Sequence, residues 1–180
     1  RENDMYRNVH EGTLIAVDGP NGVGKSTLIT NVQKALLENT ERILVTKEPS
    51  AAHIGEFTRS IAEYISGNSL ACLVAADRYN HLENEVIPHL KKGYVVLLDR
   101  YVLSSLILQQ MDAVDVDFIL GINDKIILPD LQFAIMANTD IIHNRLYERN
   151  ALTRFEVGNR TEDELRYLHD GIEVLERLGV

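Results

Sequence analysis

Apolar positions along this chain fall into two kinds of pattern, compact runs and spaced faces, that alternate from end to end. Thr13 to Asp18, Ile43 to Thr46, Tyr94 to Leu98 and Leu131 to Met136 are short runs of the kind buried inside a parallel sheet. Between them, Leu28, Ile29, Val32, Ala35 and Leu36 recur at helical spacing, as do Ile54, Phe57, Ile61 and Ile65 ahead of Gly67. Leu70, Leu73, Val74, His81, Leu82 and Val86 continue the pattern after Ser69, and another helix is predicted from Thr139 to about Asn150. The last is predicted to begin at Thr161, whose spacing to Glu164 is that of a capping box, with Leu165, Leu168, Ile172 and Leu175 on one face. Strands alternating with helices imply βαβ units around a parallel sheet. A chain of 180 residues, 45% hydrophobic, suits one domain spanning residues 1–180.

In an open parallel sheet, ligands collect beyond the carboxyl ends of the strands. Those ends read Asp18 into a loop, Lys47-Glu48-Pro49, and Asp99-Arg100-Tyr101. The first loop, Gly19-Pro20-Asn21-Gly22-Val23-Gly24-Lys25-Ser26-Thr27, fits the phosphate-binding pattern G-x-x-x-x-G-K-[ST] and stands between an apolar strand and an amphipathic helix. Its glycines let successive backbone N–H groups turn inward as an anion nest that the next helix extends. Polyphosphate is the natural occupant, with Lys25 reaching the phosphate oxygens and Ser26 offering a hydroxyl to Mg²⁺. Lys25, as a loop lysine, is expected to be exposed and to add little to the core.

Asp99 ends an apolar run, the context of a Walker-B-type carboxylate that holds Mg²⁺; the alternative is a helix cap. Arg100 follows directly, and its planar fork suits a second phosphate beside the first, against the alternative of a surface salt bridge. Arg78 shares the apolar seam of Val74 and Leu82 and so needs an anionic partner: Asp77, a core carboxylate or a substrate phosphate. Arg145, Arg149, Arg154 and Arg160 surround a stretch without periodicity at about 145–160 that is suited to closing over polyphosphate as a lid; the competing reading is a solvated helix end.

A formal net charge of -9 argues against nucleic acid or an anionic membrane as partner. Cys72 stands alone in an apolar stretch, which excludes a disulfide framework and reads as a small buried residue in a reducing compartment. No apolar run approaches the ~20 residues of a membrane span, and Arg1 to Asn8 lack a signal peptide's apolar core, so the expected location is the cytoplasm. The histidines are scattered without zinc-site spacing.

Together these residues resemble the thymidylate kinases, a branch of the P-loop nucleoside monophosphate kinases. The resemblance rests on Val17-Asp18-Gly19 leading into the loop, Thr46-Lys47-Glu48-Pro49 for the family's T-R-E-P, and Ala75-Ala76-Asp77-Arg78 for A-x-D-R. It continues with Asp99-Arg100-Tyr101-Val102-Leu103-Ser104-Ser105 for D-R-Y-x-x-S-[STN], Leu128-Pro129-Asp130-Leu131, and Arg154-Phe155-Glu156 for the lid. It implies a three-layer α/β P-loop kinase fold whose four predicted strands lie in the order 2-3-1-4. It also implies transfer of the ATP γ-phosphoryl group, with Mg²⁺, to a nucleoside 5'-monophosphate, dTMP above all, in a homodimer. By the same resemblance Arg78, Arg100, Ser105, Glu48, Asn21 and Val74 serve the acceptor, Arg145 the ATP side, and Arg149 and Arg154 the lid.

The departures from the family's pattern gather on the acceptor side. Asn21 stands where a carboxylate is usual, Val74 where an aromatic ring is common, Leu108 where a tyrosine is typical, and Lys47 where T-R-E-P has arginine. Two other readings compete: a nucleoside kinase, a family that shares the fold and a D-R motif, with Glu48 as base toward a 5'-hydroxyl, and, on the strength of these departures, a non-catalytic nucleotide-binding module. The relatives also carry a fifth strand and a final helix, so either this chain continues beyond Val180 or its donor pocket is abbreviated.

Overall fold

The computed structural model describes residues 6–147 and 160–180. Four strands form a parallel sheet: β2 (Thr13–Asp18), β3 (Ile43–Lys47), β4 (Val95–Asp99) and β6 (Leu131–Ala134), in the order β3-β4-β2-β6. That is the predicted 2-3-1-4 order. A separate two-stranded pairing joins β1 (Tyr6–Arg7) to β5 (Ile127–Leu128). Register explains why the site lies at one edge. Val17 and Lys47 both pair with Asp99, so Asp18, Glu48 and Arg100, the residues that follow, leave the sheet side by side.

Helix α1 (Lys25–Leu37) packs Ile29 onto Val17 and Leu97 on one face of the sheet. On the other face lies the main core, in which Leu14, Ala16, Val96 and Leu98 meet Leu103, Leu106 and Ile107 of α5 (Val102–Met111). This helix escapes a periodicity search because its buried residues run nearly all the way round it, so no polar stripe marks it. It is enclosed by α3 (Gly67–His81), α6 (Val116–Ile122) and α8 (Arg160–Arg177). A Cβ on Gly171 of α8 would lie 2.7 Å from the Leu103 side chain, which fixes how closely α8 rides on α5. Helix α6 starts where Asp115 caps it, its carboxylate accepting from the N–H groups of Asp117 and Phe118.

Several expectations need correction. The helix predicted after Ser69 is interrupted: α3 gives way to a π-helical turn at Leu82–Val86 before α4 (Ile87–Leu90), where Pro88 has no N–H to continue the α-helical ladder. In α2 (His53–Ile61), Phe57 is half exposed, and the inward residues are instead Gly55 and Thr58. Helix α8 already includes Thr161, which is therefore not its N-cap, and the Glu164 carboxylate accepts from the Asn21 N–H of the phosphate loop at 3.3 Å. Cys72 is exposed, since α3 turns Ala71 and Ala75 inward and presents residue 72 outward. Helix α7 (Thr139–Tyr147) covers the described part of the helix predicted to reach Asn150.

Candidate active site

Two cavities open at the carboxyl edge of the sheet. The larger, of about 750 Å³, is lined by the phosphate loop from Asn21 to Thr27 together with Asp99, Arg100, Ile135 and Arg145. Loop shape follows from its glycines. Gly19 passes so close to the next strand that a Cβ would lie 2.4 Å from the Ile135 carbonyl oxygen, and Gly24 holds φ 106° as it opens α1.

Lys25 corrects the expectation of an exposed side chain. It is 7% exposed, and its ammonium donates to the carbonyls of Gly19 and Pro20, each at 2.8 Å. Burial and then the neighbouring Arg100 charge lower its pKa to about 7, against the opposing pull of Asp99, Asp18 and Glu164. Ser26 donates to Asp99 Oδ2 at 3.4 Å, so the hydroxyl and the carboxylate expected to share a cation do stand together. Arg145 donates to the Val23 carbonyl at 2.8 Å, at the rim of this cavity. Arg149 and Arg154 lie outside the described residues.

The second cavity, of about 400 Å³, is lined by Glu48, Pro49, Arg59, Leu70, Val74, Arg78, Tyr101, Ser105, Leu108 and Gln109, among others. Asn21 and Arg100 line both cavities. Arg100 adopts φ 72°, a left-handed conformation uncommon for a residue with a Cβ, and its guanidinium donates to Asn21 Oδ1 at 2.6 Å and Ser104 Oγ at 3.1 Å. It is therefore a half-buried group at the junction, and no surface salt bridge engages it among the described residues.

Arg78 takes a core carboxylate, the second of its three candidate partners. Its Nε donates to Glu48 Oε2 at 2.7 Å, and the other two nitrogens donate to Asn123 Oδ1 at 2.6 Å and Ser105 Oγ at 2.9 Å. Asp77 is engaged elsewhere, accepting from the N–H and hydroxyl of Ser50, each at 2.6 Å. The Arg78 guanidinium also lies 5.3 Å from the centre of the Tyr101 ring. Burial pushes the Tyr101 phenol well above its ordinary pKa, so it stays neutral while donating to the Ile127 carbonyl at 2.7 Å.

Sequence reasoning left several residues of this region without a role. Asp18, fully buried, accepts from the N–H groups of Tyr101 and Ser104, each at 2.9 Å, and from Gln132 Nε2 at 3.0 Å, tying the phosphate loop to the start of α5. Its position as the last strand residue before Gly19 was the available signal. Arg59 holds the Ser50 carbonyl at 2.8 Å and faces the second cavity, and Asn123 orients Arg78. Arg59 comes from α2 and Asn123 from the turn that ends α6, elements whose relation to the sheet edge no local pattern reveals.

The geometry agrees with the comparisons. A family model described as thymidylate kinase matches residues 17–175. A probable thymidylate kinase from Caldivirga maquilingensis is 36% identical over 161 residues, 87% of this chain and 77% of the relative. A thymidylate kinase from Caldicellulosiruptor saccharolyticus is 37% identical over 144 residues, 76% of this chain and 70% of the relative. Among solved structures, a thymidylate kinase from Candida albicans superposes with a TM-score of 0.74 at 19% identity, covering 91% of this chain and 79% of that one. One from Ehrlichia chaffeensis reaches 0.63 at 22% identity, covering 92% of this chain and 99% of that one. These neighbours establish the P-loop kinase fold, and the sequence relatives do not favour a nucleoside kinase or a non-catalytic module. This chain belongs to the thymidylate kinase family of nucleoside monophosphate kinases.

Proposed function

We propose that this chain transfers the γ-phosphoryl group of ATP to the 5'-phosphate of dTMP, giving dTDP. The observation that carries the reading is the pair of cavities meeting at Asn21 and Arg100, one built from phosphate-loop backbone and the other from Arg78, Ser105 and Glu48. Two polyanions must approach each other for this transfer, so cations at the junction offset their repulsion. Arg100 supplies one there, and Lys25 supplies another when a bound anion restores its proton. Arg145 serves the donor side. Ser105 and Arg78 present polar groups to the base edge, and Val74 and Leu108 provide apolar contact.

Ser26 and Asp99 fit Mg²⁺, since a hydroxyl and a carboxylate are hard oxygen donors and the ion keeps its other positions for water and phosphate. When bound, the ion neutralises charge on the β- and γ-phosphoryl oxygens. The segment at about 145–160 acts in this reading as a lid whose Arg149 and Arg154 add charge to the moving phosphoryl group, within a single domain. The enzyme works as a homodimer in the cytoplasm. The half-exposed Phe57 and the more exposed Tyr64 favour a partner face, and the exposed free thiol of Cys72 fits a reducing compartment. No helix among the described residues is long and apolar enough to cross a membrane.

The test is ADP release from ATP and Mg²⁺ with a panel of nucleoside monophosphates and free nucleosides, alongside sedimentation for the dimer. Fastest turnover is expected with dTMP. Turnover confined to free nucleosides, or none with any acceptor, would overturn the proposal.

A further inference from the structure

His81, at the end of α3, is 2% exposed and sits between two carboxylates. Its Nε2 lies 2.7 Å from Glu85 Oε2 and 2.9 Å from Thr46 Oγ1, and the Thr46 hydroxyl donates to the same Glu85 oxygen at 2.9 Å. On the opposite side, Nδ1 faces Glu48 Oε1 at 3.5 Å, and neither of these buried atoms has a hydrogen-bond partner among the described residues. The other oxygen of Glu48 is the one that holds Arg78.

A neutral ring carries one N–H. Placed on Nε2 for Glu85, that proton leaves the Nδ1 lone pair pointing at the Glu48 carboxylate. Only the doubly protonated ring suits both neighbours. Charge counting gives the same answer: Glu48 and Glu85 against Arg78 and a protonated His81 sum to zero, whereas a neutral ring leaves the cluster with a net negative charge. Asp77, on the same helix, turns its carboxylate to Ser50, and the charges that act on the ring are those of Glu48 and Glu85. The Tyr101 phenol behind Arg78 stays neutral. Burial pulls the ring's pKa down, but the facing carboxylates of Glu48 and then Glu85 outweigh it, so His81 titrates above its ordinary 6.5.

We propose that His81 is a positioning residue of the acceptor pocket: its imidazolium, clamped between Glu48 and Glu85, fixes the Glu48 carboxylate and through it the Arg78 guanidinium that lines the pocket. The inference rests on the assignment of that pocket to the acceptor. Loss of the ring proton frees one end of Glu48 and slackens Arg78, with no direct effect on the phosphate loop.

The test measures KM for dTMP and for ATP between pH 7 and pH 9.5, a range in which the phosphate of dTMP is already dianionic. For the wild type, the dTMP KM is expected to rise with pH while the ATP KM does not share its midpoint. His81→Gln should raise the dTMP KM about tenfold at pH 7, the value of one charge-assisted hydrogen bond, and flatten its pH dependence. Glu85→Gln, at a side chain 42% exposed, should move the midpoint to lower pH. An unchanged dTMP KM and pH profile in His81→Gln, or an unmoved midpoint in Glu85→Gln, would overturn the proposal. If His81→Gln does not fold, Glu85→Gln and the ring nitrogen shifts of wild-type His81 decide, and a ring neutral at pH 7 refutes the clamp. A wild type that turns over no monophosphate would instead refute the acceptor assignment, while the ring titration would still report on the clamp.

Discussion

Replacing Arg78 with methionine keeps much of the side-chain length but removes a cation that is 1% exposed, together with its hydrogen bonds to Glu48, Asn123 and Ser105. The Glu48 side chain, 3% exposed, would be left with its charge and without its guanidinium. Removing one partner of a buried pair costs about 3–5 kcal/mol, because the remaining charge stays desolvated. His81 on the other Glu48 oxygen brings the expected loss toward the lower figure. For a domain of this size, each kcal/mol lowers Tm by roughly 2–4 °C, so Arg78→Met should melt about 6–20 °C below the wild type without nucleotide. Glu48→Gln should cost a similar amount by stranding the guanidinium. The double variant removes both charges and should recover most of the loss, leaving a coupling of about 2 kcal/mol or more. Urea unfolding of the four nucleotide-free proteins measures the cycle. Additive losses, or a wild-type Tm for Arg78→Met, would refute the claim that Glu48 anchors this arginine.

Lys25 carries a pH prediction with a definite sign. Its folded pKa of about 7 lies below the 10.5 of the unfolded chain, so between those values the unfolded state binds the extra proton, and this residue's contribution to stability grows as pH rises across that window. Unfolding midpoints of the wild type and Lys25→Met against pH should separate accordingly. Pyrophosphate binding at pH 8 should draw a proton back onto Lys25, read by calorimetry in buffers of different ionisation enthalpy; an uptake equal in Lys25→Met and wild type would contradict this. Gly55→Ala would place a Cβ 2.2 Å from the Ser50 carbonyl oxygen and 2.8 Å from Asp77 Oδ1, and it should cost about 1–3 kcal/mol and raise KM for dTMP but not for ATP. Val74→Phe should lower the dTMP KM by adding a ring to the cavity wall; abolished turnover in a folded protein would show that the pocket needs that volume for its ligand.

What could be read in advance followed from how local each feature is. The phosphate loop, the four strands of the sheet and the strand-end residues are continuous segments, and parallel register carries their ends to one edge with no further information. Helix α5 was not legible because a helix buried on nearly every side has no polar face to mark its period. Arg78 was recognisable as needing an anion, but choosing among Asp77, a core carboxylate and a phosphate required knowing that Ser50 already occupies Asp77. The exposure of Lys25 was misjudged for a related reason: a loop that curls around its own lysine buries it, and that curl is a backbone shape with no hydropathy signature.

The same distinction separates the two cavities. The phosphate-loop cavity is bounded by backbone that glycines shape, where a Cβ on Gly19 would meet the carbonyl of Ile135. Side-chain changes there have little room. The second cavity is walled by side chains from several helices, so Val74 and Leu108 can change without disturbing the strands or the loop. Two constraints nevertheless reach into it: Arg78, held by Glu48, Asn123 and Ser105, and Arg100, held by Asn21 and Ser104. Asn21 belongs to both halves, since its amide oxygen accepts from Arg100 while its backbone N–H donates to Glu164 on α8. The Asn21 amide satisfies the Arg100 fork without adding a negative charge where the two cavities meet, so the junction keeps positive charge that a carboxylate at this position would offset.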